Sequence, residues 1–499
     1  MLQCEPMYLL DDCLNHFDNS NVAIICEHSG RSVSYARLAQ DVYALSSVMQ
    51  SAGIGAGMRL SVAMPGSIEF VVAILASINV GAVAAPLDLS LKGESLKRSM
   101  ASLRPHAVLT SYRAGNRYNH MDSLLGLCFS VGLSECGIIR NSSSSNDVQV
   151  GQNTIGSEGN DALLISTSGT TGVPRYVRLG AEGTAFNIRS HLESFGFSGS
   201  MRNLQVLPVN YSYGCIASLL GTLVNGGVLI FPERLDGVGI ANALRLHRPD
   251  TLYLSPALAE YLVDMVGPDR GDWFSSLQRV GIGGDTCPPA LRGKIASVMP
   301  QTKLYVTFGV TEAGPRVATL ASEEFLTHPY SVGRAIRGVS FAVSDGEGQP
   351  CRVGEVGWLQ ITTPSAMRGY LDHPPLNSLA VVSGDLARID ADGRLTLMGR
   401  SDRQIKLRGT RVHLNQIEMI VGHLPGVRCC EVKLDQDMGR LVADVIFDPL
   451  RVSDPHQFEE LLRRHCRMHL PNRHVPAEFR LQSASGYFFK GRQVAALSQ

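Results

Sequence analysis

LLISTSGTTGVPRYVRL, residues 163–179, decides how the chain is read. The apolar run 162–165 has the length and character of a buried strand. It stops at Ser166-Thr167-Ser168-Gly169-Thr170-Thr171-Gly172, seven residues that carry five hydroxyls and two glycines. Glycine lets the backbone bend so that N–H groups converge on a ligand, and hydroxyls add donors around it. Arg175 then sets a fixed cation beside them. Small donors next to a cation suit a polyphosphate; an ordinary Ser/Thr/Gly surface turn has the same composition. The GxxxxGK[ST] spacing is missing, so the stretch is not a Walker A loop.

Outward from this stretch, strands and helices alternate. Residues 22–27 and 32–35 read as a hairpin leading into a helix that runs to residue 50, with Leu38, Val42, Leu45 and Val48 at helical spacing. A strand at 60–64, an apolar helix at 68–80 and a strand at 81–86 follow. Next come a helix at 95–103, with Ser95 as its N-cap, and a strand at 107–109. This βαβ rhythm predicts an α/β fold, a large N-terminal region of parallel, doubly wound sheets. The Ser-, Asn- and Gly-rich stretch 134–161 reads as a surface loop. Beyond it a helix is expected at 184–194, strands at 204–209 and 277–282, and a helix at 257–265. From about residue 403 the pattern changes to a small α+β domain, with helices at 415–423 and 458–468 and strands at 427–432 and 441–447.

The 499 residues suit roughly three domains. Apolar residues make up 44% and charged residues 18%, which fits a globular protein with a large core. The formal net charge is zero, so nothing points to nucleic acid or another electrostatic partner. The eleven cysteines show no CxxC and no metal spacing, which predicts a reduced, cytoplasmic protein; Cys429-Cys430 reads as a buried strand edge. The N-terminus has acidic residues where a signal peptide would be basic. Apolar stretches 70–87 and 213–231 are broken by glycines, and by Pro86 in the first and Asn225 in the second. They read as buried helix, turn and strand, not as membrane spans.

STSGTTGVPR resembles the phosphate loop, [YT]TSGTTGxPKG, of the adenylate-forming (ANL) superfamily. That superfamily holds acyl- and aryl-CoA ligases, nonribosomal peptide adenylation domains and luciferase. Further motifs follow in the family's order, and the resemblance spans about residues 20–497. It implies that Thr167, Ser168, Gly169, Thr170, Thr171 and Gly172 hold ATP phosphates, with Arg175 in place of the usual lysine. In PVNYSYG, residues 208–214, it sets Tyr211 where amino-acid-activating members carry an aspartate for the α-ammonium. A tyrosine supplies no such charge. Tyr211, Ser212, Tyr213 and Gly214 are then expected at the acid pocket, although both tyrosines also read as core aromatics. The pocket is expected to draw on residues 211–218, 281–285 and 308–316.

Gly283-Gly284-Asp285 resembles the GGE segment that packs on adenine. LYVTFGVTE, residues 304–312, is similar to the family's YGxTE strand. The likeness implies nucleotide contacts for Thr307, Phe308 and Gly309, an α-phosphate hydrogen bond for Thr311, and Mg²⁺ ligation by Glu312. Residues 354–370 match a region read as scaffold. VVSGDL, residues 381–386, assigns the ribose hydroxyls to Asp385. GRSDRQIKLRGTRVHLNQIE, residues 399–418, is the most specific match, implying ribose contact by Arg400, a hinge at Asp402 and a thiol tunnel near Gly409. The catalytic lysine near the C-terminus falls at Lys490 by distance from Pro471, or on Tyr487 by ungapped alignment; Lys490 is the preferred assignment.

The resemblance implies an N-terminal adenylation domain at 1–401 and a mobile C-terminal domain at 402–499. Its expected activity is ATP- and Mg²⁺-dependent activation of a non-amino carboxylic acid to acyl-AMP. The acyl group would pass to the thiol of CoA or of phosphopantetheine on an acyl carrier protein. Two alternatives stay open: delivery to an amine with formation of an amide, as in coronafacate ligase, and a catalytically weakened homologue that binds rather than reacts.

Overall fold

A computed structural model describes residues 9–14, 20–111, 128–132, 137–140, 161–167, 174–197, 199, 201–266, 272–376, 378–400, 404–407, 410–435, 440–470, 472–483, 487–489 and 492–494. The architecture is α/β, as the sequence predicts, and the chain divides into two compact units.

The first unit comprises Met1–Tyr253, Gly309–Val317 and Thr362–Val381. Its seven-stranded sheet is centred on Arg59–Ala63, which pairs in parallel with Val83–Pro86 on one side and Ala107–Ser111 on the other. These strands are apolar without alternation because both faces are covered. Helix Ile68–Asn79 makes the crossover between the first two. Ser67 caps it, its Oγ accepting the Phe70 N–H at 3.1 Å, and nine of its twelve residues are buried. A helix apolar on every side belongs in a core, so this stretch packs inside the protein. Among the described residues no helix is long and apolar enough to cross a membrane. Each fully buried Leu, Ile, Val or Phe here contributes about 1.5–3 kcal/mol. The same unit carries the hairpin of Val22–Cys26 and Arg31–Ser34, and parallel pairing joins Val22–Cys26 to Val228–Phe231 and the latter to Arg202–Leu204.

Three local expectations change. The helix expected from Ser95 is Gly93–Leu103, with Lys92 at the N-cap position and Ser95 inside the first turn. Residues 137–140, read as loop, form a strand antiparallel to Cys128–Gly132. The strand expected at 204–209 ends at Leu204. There the Gln205 side chain bonds the carbonyls of Leu207 and Gly214, 2.8 and 3.3 Å away, and the Ser218 hydroxyl donates to Gln205 Oε1 at 2.7 Å. The Gln205 N–H still reaches the Ile230 carbonyl at 2.8 Å, and beyond it these side-chain bonds tie the chain to a wide, i→i+5 hydrogen-bonded helix, Tyr213–Leu220.

The second unit comprises Leu254–Phe308, Ala318–Ile361 and Val382–Gln499. Arg279–Gly283 pairs in parallel with Lys303–Val310, and Ala380–Ile389 forms a hairpin with Leu395–Arg400 whose turn contains Gly393. Val427–Asp435, Arg440–Phe447 and Glu478–Ser483 form a three-stranded sheet. Against it pack helices Leu414–Gly422 and Pro455–His469 through Ile417, Val421, Leu462 and Cys466. Cys429 and Cys430 lie on the edge strand of that sheet, half-buried rather than buried.

Candidate functional site

Strands Asp161–Thr167 and Arg175–Gly180 form an antiparallel hairpin in which Thr167 faces Arg175 in register. The Thr167 hydroxyl donates to the Arg175 carbonyl at 3.4 Å. The tip, with Ser168, Gly169, Thr170, Thr171 and Gly172, lies outside the described residues. The Arg175 guanidinium stands 5.7 Å from the centroid of the Tyr370 ring. A backbone bridge between Val177 and Tyr370 holds that ring beside the hairpin. From there the Tyr370 hydroxyl donates to Glu312 Oε1 at 3.0 Å, and the Met367 N–H fixes the Glu312 carbonyl at 2.7 Å. Burial and the Glu312 carboxylate push the Tyr370 phenol up to about 12, with Arg175 opposing them. The phenol is therefore a neutral hydrogen-bond donor at ordinary pH.

Tyr370 thus stands between Arg175 and Glu312, a role not read from the sequence. It closes segment 354–370, which matched the family only as scaffold. The available signal was a phenol following a glycine at the end of that segment. Nothing local shows that it reaches a carboxylate 58 residues away.

Glu312 sits in a single 3₁₀ turn, Thr311–Ala313, between strands Lys303–Val310 and Gly314–Leu320. The turn is tight enough that a Cβ on Gly309 would stand 2.1 Å from the Pro315 carbonyl oxygen. Only glycine fits there. Thr311 Oγ1 and Ser212 Oγ are 3.1 Å apart, which brings the expected phosphate contact to the expected acid pocket. Gly214 is closed in the same way, its Cβ position 2.0 Å from the Pro208 carbonyl oxygen.

Tyr211 is half-buried and Tyr213 buried. Tyr213 faces a residue that the sequence reading placed only at the end of the pocket segment. The Arg316 guanidinium lies 4.0 Å from the Tyr213 ring centroid and 5.8 Å from that of Tyr253. Arg316 is 1% exposed, and its Nη1 donates to the Pro315 carbonyl at 2.8 Å. Burial lowers its pKa, while the two tyrosines favour the cation. His191, whose Nε2 is 2.8 Å from the Tyr253 hydroxyl, is held neutral by burial and by Arg316.

The second unit holds the remaining candidates. Gly283 ends its strand opposite Thr307 in register. Gly284 follows with φ +85°, and Asp285 Oδ1 accepts the Thr286 N–H at 2.7 Å. The buried Thr307 hydroxyl donates to the Ile282 carbonyl at 3.2 Å and so faces the core; Phe308 is half-buried. Asp385 and Arg400 are register partners, with Arg400 Nη1 3.8 Å from Asp385 Oδ1. The Asp385 N–H donates to Ser383 Oγ at 3.1 Å. Asp402, Gly409 and Lys490 lie outside the described residues. Tyr487 begins a short strand, Tyr487–Phe489, paired with Arg492–Val494.

Residues 14–371 match the AMP-binding enzyme family. The chain is 28% identical over 470 residues to novobiocin biosynthesis protein H of Streptomyces niveus, covering 90% of this chain and 75% of that protein. It is 28% identical over 512 residues to malpinin synthetase of Mortierella alpina, covering 95% of this chain and 6% of the synthetase. It therefore spans only a small part of that relative. Among solved structures, the amide bond synthetase McbA from Marinactinospora thermotolerans has TM-score 0.80 at 23% identity, over 95% of each chain. ATP-bound MatB from Rhodopseudomonas palustris has TM-score 0.79 at 20% identity, over 95% of each chain.

Proposed function

The chain belongs to the AMP-binding enzyme family; on that premise we propose that it is an adenylate-forming ligase that uses ATP to activate a non-amino carboxylic acid and passes the acyl group to a pantetheine thiol, on CoA or on a carrier protein. The observation that carries the reading is the charge at the pocket candidates. Residues 208–214 contain no acidic side chain, and Tyr213 instead packs on the buried Arg316 guanidinium. In a low-dielectric interior that cation repels an α-ammonium and favours an anion.

In this mechanism the acid's carboxylate attacks the ATP α-phosphorus in line and pyrophosphate leaves. Thr311 would hydrogen-bond the α-phosphate, and Arg175 and the hydroxyl loop would take up the developing charge. Lys490 would bring carboxylate and phosphate together. Mg²⁺ fits Glu312. Tyr370 occupies Oε1 and leaves the second oxygen to a ligand, and Mg²⁺ takes one or two carboxylates alongside substrate phosphates. Among the described residues no group of three or more His, Cys, Asp or Glu forms a protein cage for it. Bound there, the ion would neutralise phosphate charge. Residues 402–499 would turn about Asp402 before thiol transfer. Asp385 and Arg400 would hold the ribose, with Gly283, Gly284, Asp285, Phe308 and Gly309 around the adenine.

A second reading hands the acyl group to an amine. The likeness to an amide bond synthetase over 95% of each chain motivates it. Pyrophosphate exchange with Mg-ATP across fatty, aryl and amino acids tests adenylation. We expect exchange with a non-amino acid, kept in Tyr487→Phe and lost in Lys490→Ala. A folded protein that binds ATP and exchanges with no acid would instead be a weakened homologue. A screen of thiol against amine acceptors separates the first two readings.

A further inference from the structure

We propose that Arg316 binds a second carboxylate of the acid substrate, so that the enzyme takes a dicarboxylic acid. The proposal rests on the adenylation reading and names the substrate class of that same pocket.

Arg316 is the largest fully buried side chain described. Its Nη1 donates to the Pro315 carbonyl, and the Tyr213 hydroxyl also hydrogen-bonds the guanidinium; among the described residues no acceptor reaches Nε or Nη2. It forms no ion pair among the described residues. These two nitrogens share one edge of the guanidinium, where their N–H bonds run parallel. That edge is the fork which a carboxylate fills with two hydrogen bonds. The faces of the same group are taken by aromatic rings, at 4.0 Å for Tyr213 and 5.8 Å for Tyr253. Cation–π contact offsets part of the cost of burying the charge without using its N–H bonds. A buried cation kept with two donors unspent is expensive unless an anion completes it.

The Arg316 charge itself favours an anion, and the buried His191, being neutral, adds no charge beside it. Tyr213 belongs to the stretch expected at the acid pocket, and the neighbouring Ser212 hydroxyl touches Thr311. Arg316 lies five residues beyond Thr311, at most about 18 Å of extended chain. An acid whose reacting carboxylate lies at Thr311 and whose second carboxylate lies at Arg316 therefore has a short or medium spacer.

Binding is measured by calorimetry on the full chain. The ligands are straight-chain diacids from succinic to sebacic acid, the three benzenedicarboxylic acids, and the monomethyl ester of each. We expect at least one diacid to bind more tightly than its ester. Arg316→Met should weaken that diacid about tenfold to a hundredfold and leave the ester unchanged. Arg316→Lys should restore part of the loss. A structural arginine would lower both ligands equally. Equal loss in Arg316→Met, or no diacid preferred by the wild type, overturns the proposal. If Arg316→Met does not fold, wild-type discrimination and its reduction in Arg316→Lys decide.

Pyrophosphate exchange on the same panel separates the two readings. Diacid binding without exchange keeps the Arg316 site and sinks adenylation. Exchange without diacid preference keeps adenylation and sinks the Arg316 site.

Discussion

Among the described residues two arginines are buried almost completely, one in each unit, and they are completed differently. Arg292 spends every nitrogen on carbonyls. Nε donates to Cys287 at 3.2 Å, Nη1 to Phe325 and His328 at 3.3 and 3.1 Å, and Nη2 to Ser331 at 3.0 Å. Its guanidinium also stacks 5.6 Å from the Phe325 ring centroid. Arg316 gives Nη1 to its neighbour Pro315 and lies against tyrosine rings, and among the described residues its Nε and Nη2 reach no acceptor. Burial lowers both pKa values, so burial alone does not tell the two apart. The count of satisfied donors does. Arg292 ties four carbonyls of its own unit together and is part of the framework. Arg316, like the Tyr370–Glu312 pair, keeps polar capacity beyond what its own fold uses.

The sharpest way to break this contrast is Arg292→Met. It strands four buried carbonyls and should cost about 3–5 kcal/mol in chemical denaturation. A variant as stable as the wild type would show that the carbonyl cage is not structural. Glu312→Gln should leave stability near the wild-type value and slow pyrophosphate exchange about a hundredfold, about 2.7 kcal/mol of barrier. Loss of stability with unchanged exchange would move Glu312 to the framework side. Arg316→Met should change unfolding free energy by less than about 1 kcal/mol, because removing an incompletely paired buried charge relieves desolvation as well as losing a bond. A loss as large as that of Arg292→Met would erase the distinction.

The smallest effect is an alkaline one. The folded state holds the Tyr370 proton more tightly than the unfolded chain, whose tyrosines ionise near pH 10. The stability this brings is complete below about pH 10 and is lost as pH rises toward about 12, where the folded phenol ionises. Tyr370→Phe should therefore lose stability more gently than the wild type between those values in pH-dependent melting. Parallel curves would mean that the phenol is not held by Glu312.

Much of the first unit was legible because its signals are local. Gly81, Pro86 and the apolar runs around them mark a strand and a crossover helix, and the structure has both. The expected strand past Leu204 failed for a reason that is not local: Gln205 closes on Gly214, nine residues on. Among the site candidates, Glu312, Thr311 and Arg175 stand out as residue types in a motif. Thr307 stands in the same motif, yet its hydroxyl is spent on the Ile282 carbonyl. A motif states which residue is present and not which way its side chain turns.

The sequence by itself determined the α/β architecture and the family. Periodicity, glycine placement and motif order are properties of neighbouring residues, and they survive in a string of letters. Only the tertiary structure decided that Tyr370 reaches Glu312, that every nitrogen of Arg292 meets a carbonyl and that, among the described residues, Nε and Nη2 of Arg316 do not. Those facts depend on which groups meet across tens to hundreds of residues once the core has closed. Hydrogen-bond satisfaction is counted between such partners, and it separates a charge that holds the fold from one held ready for a ligand.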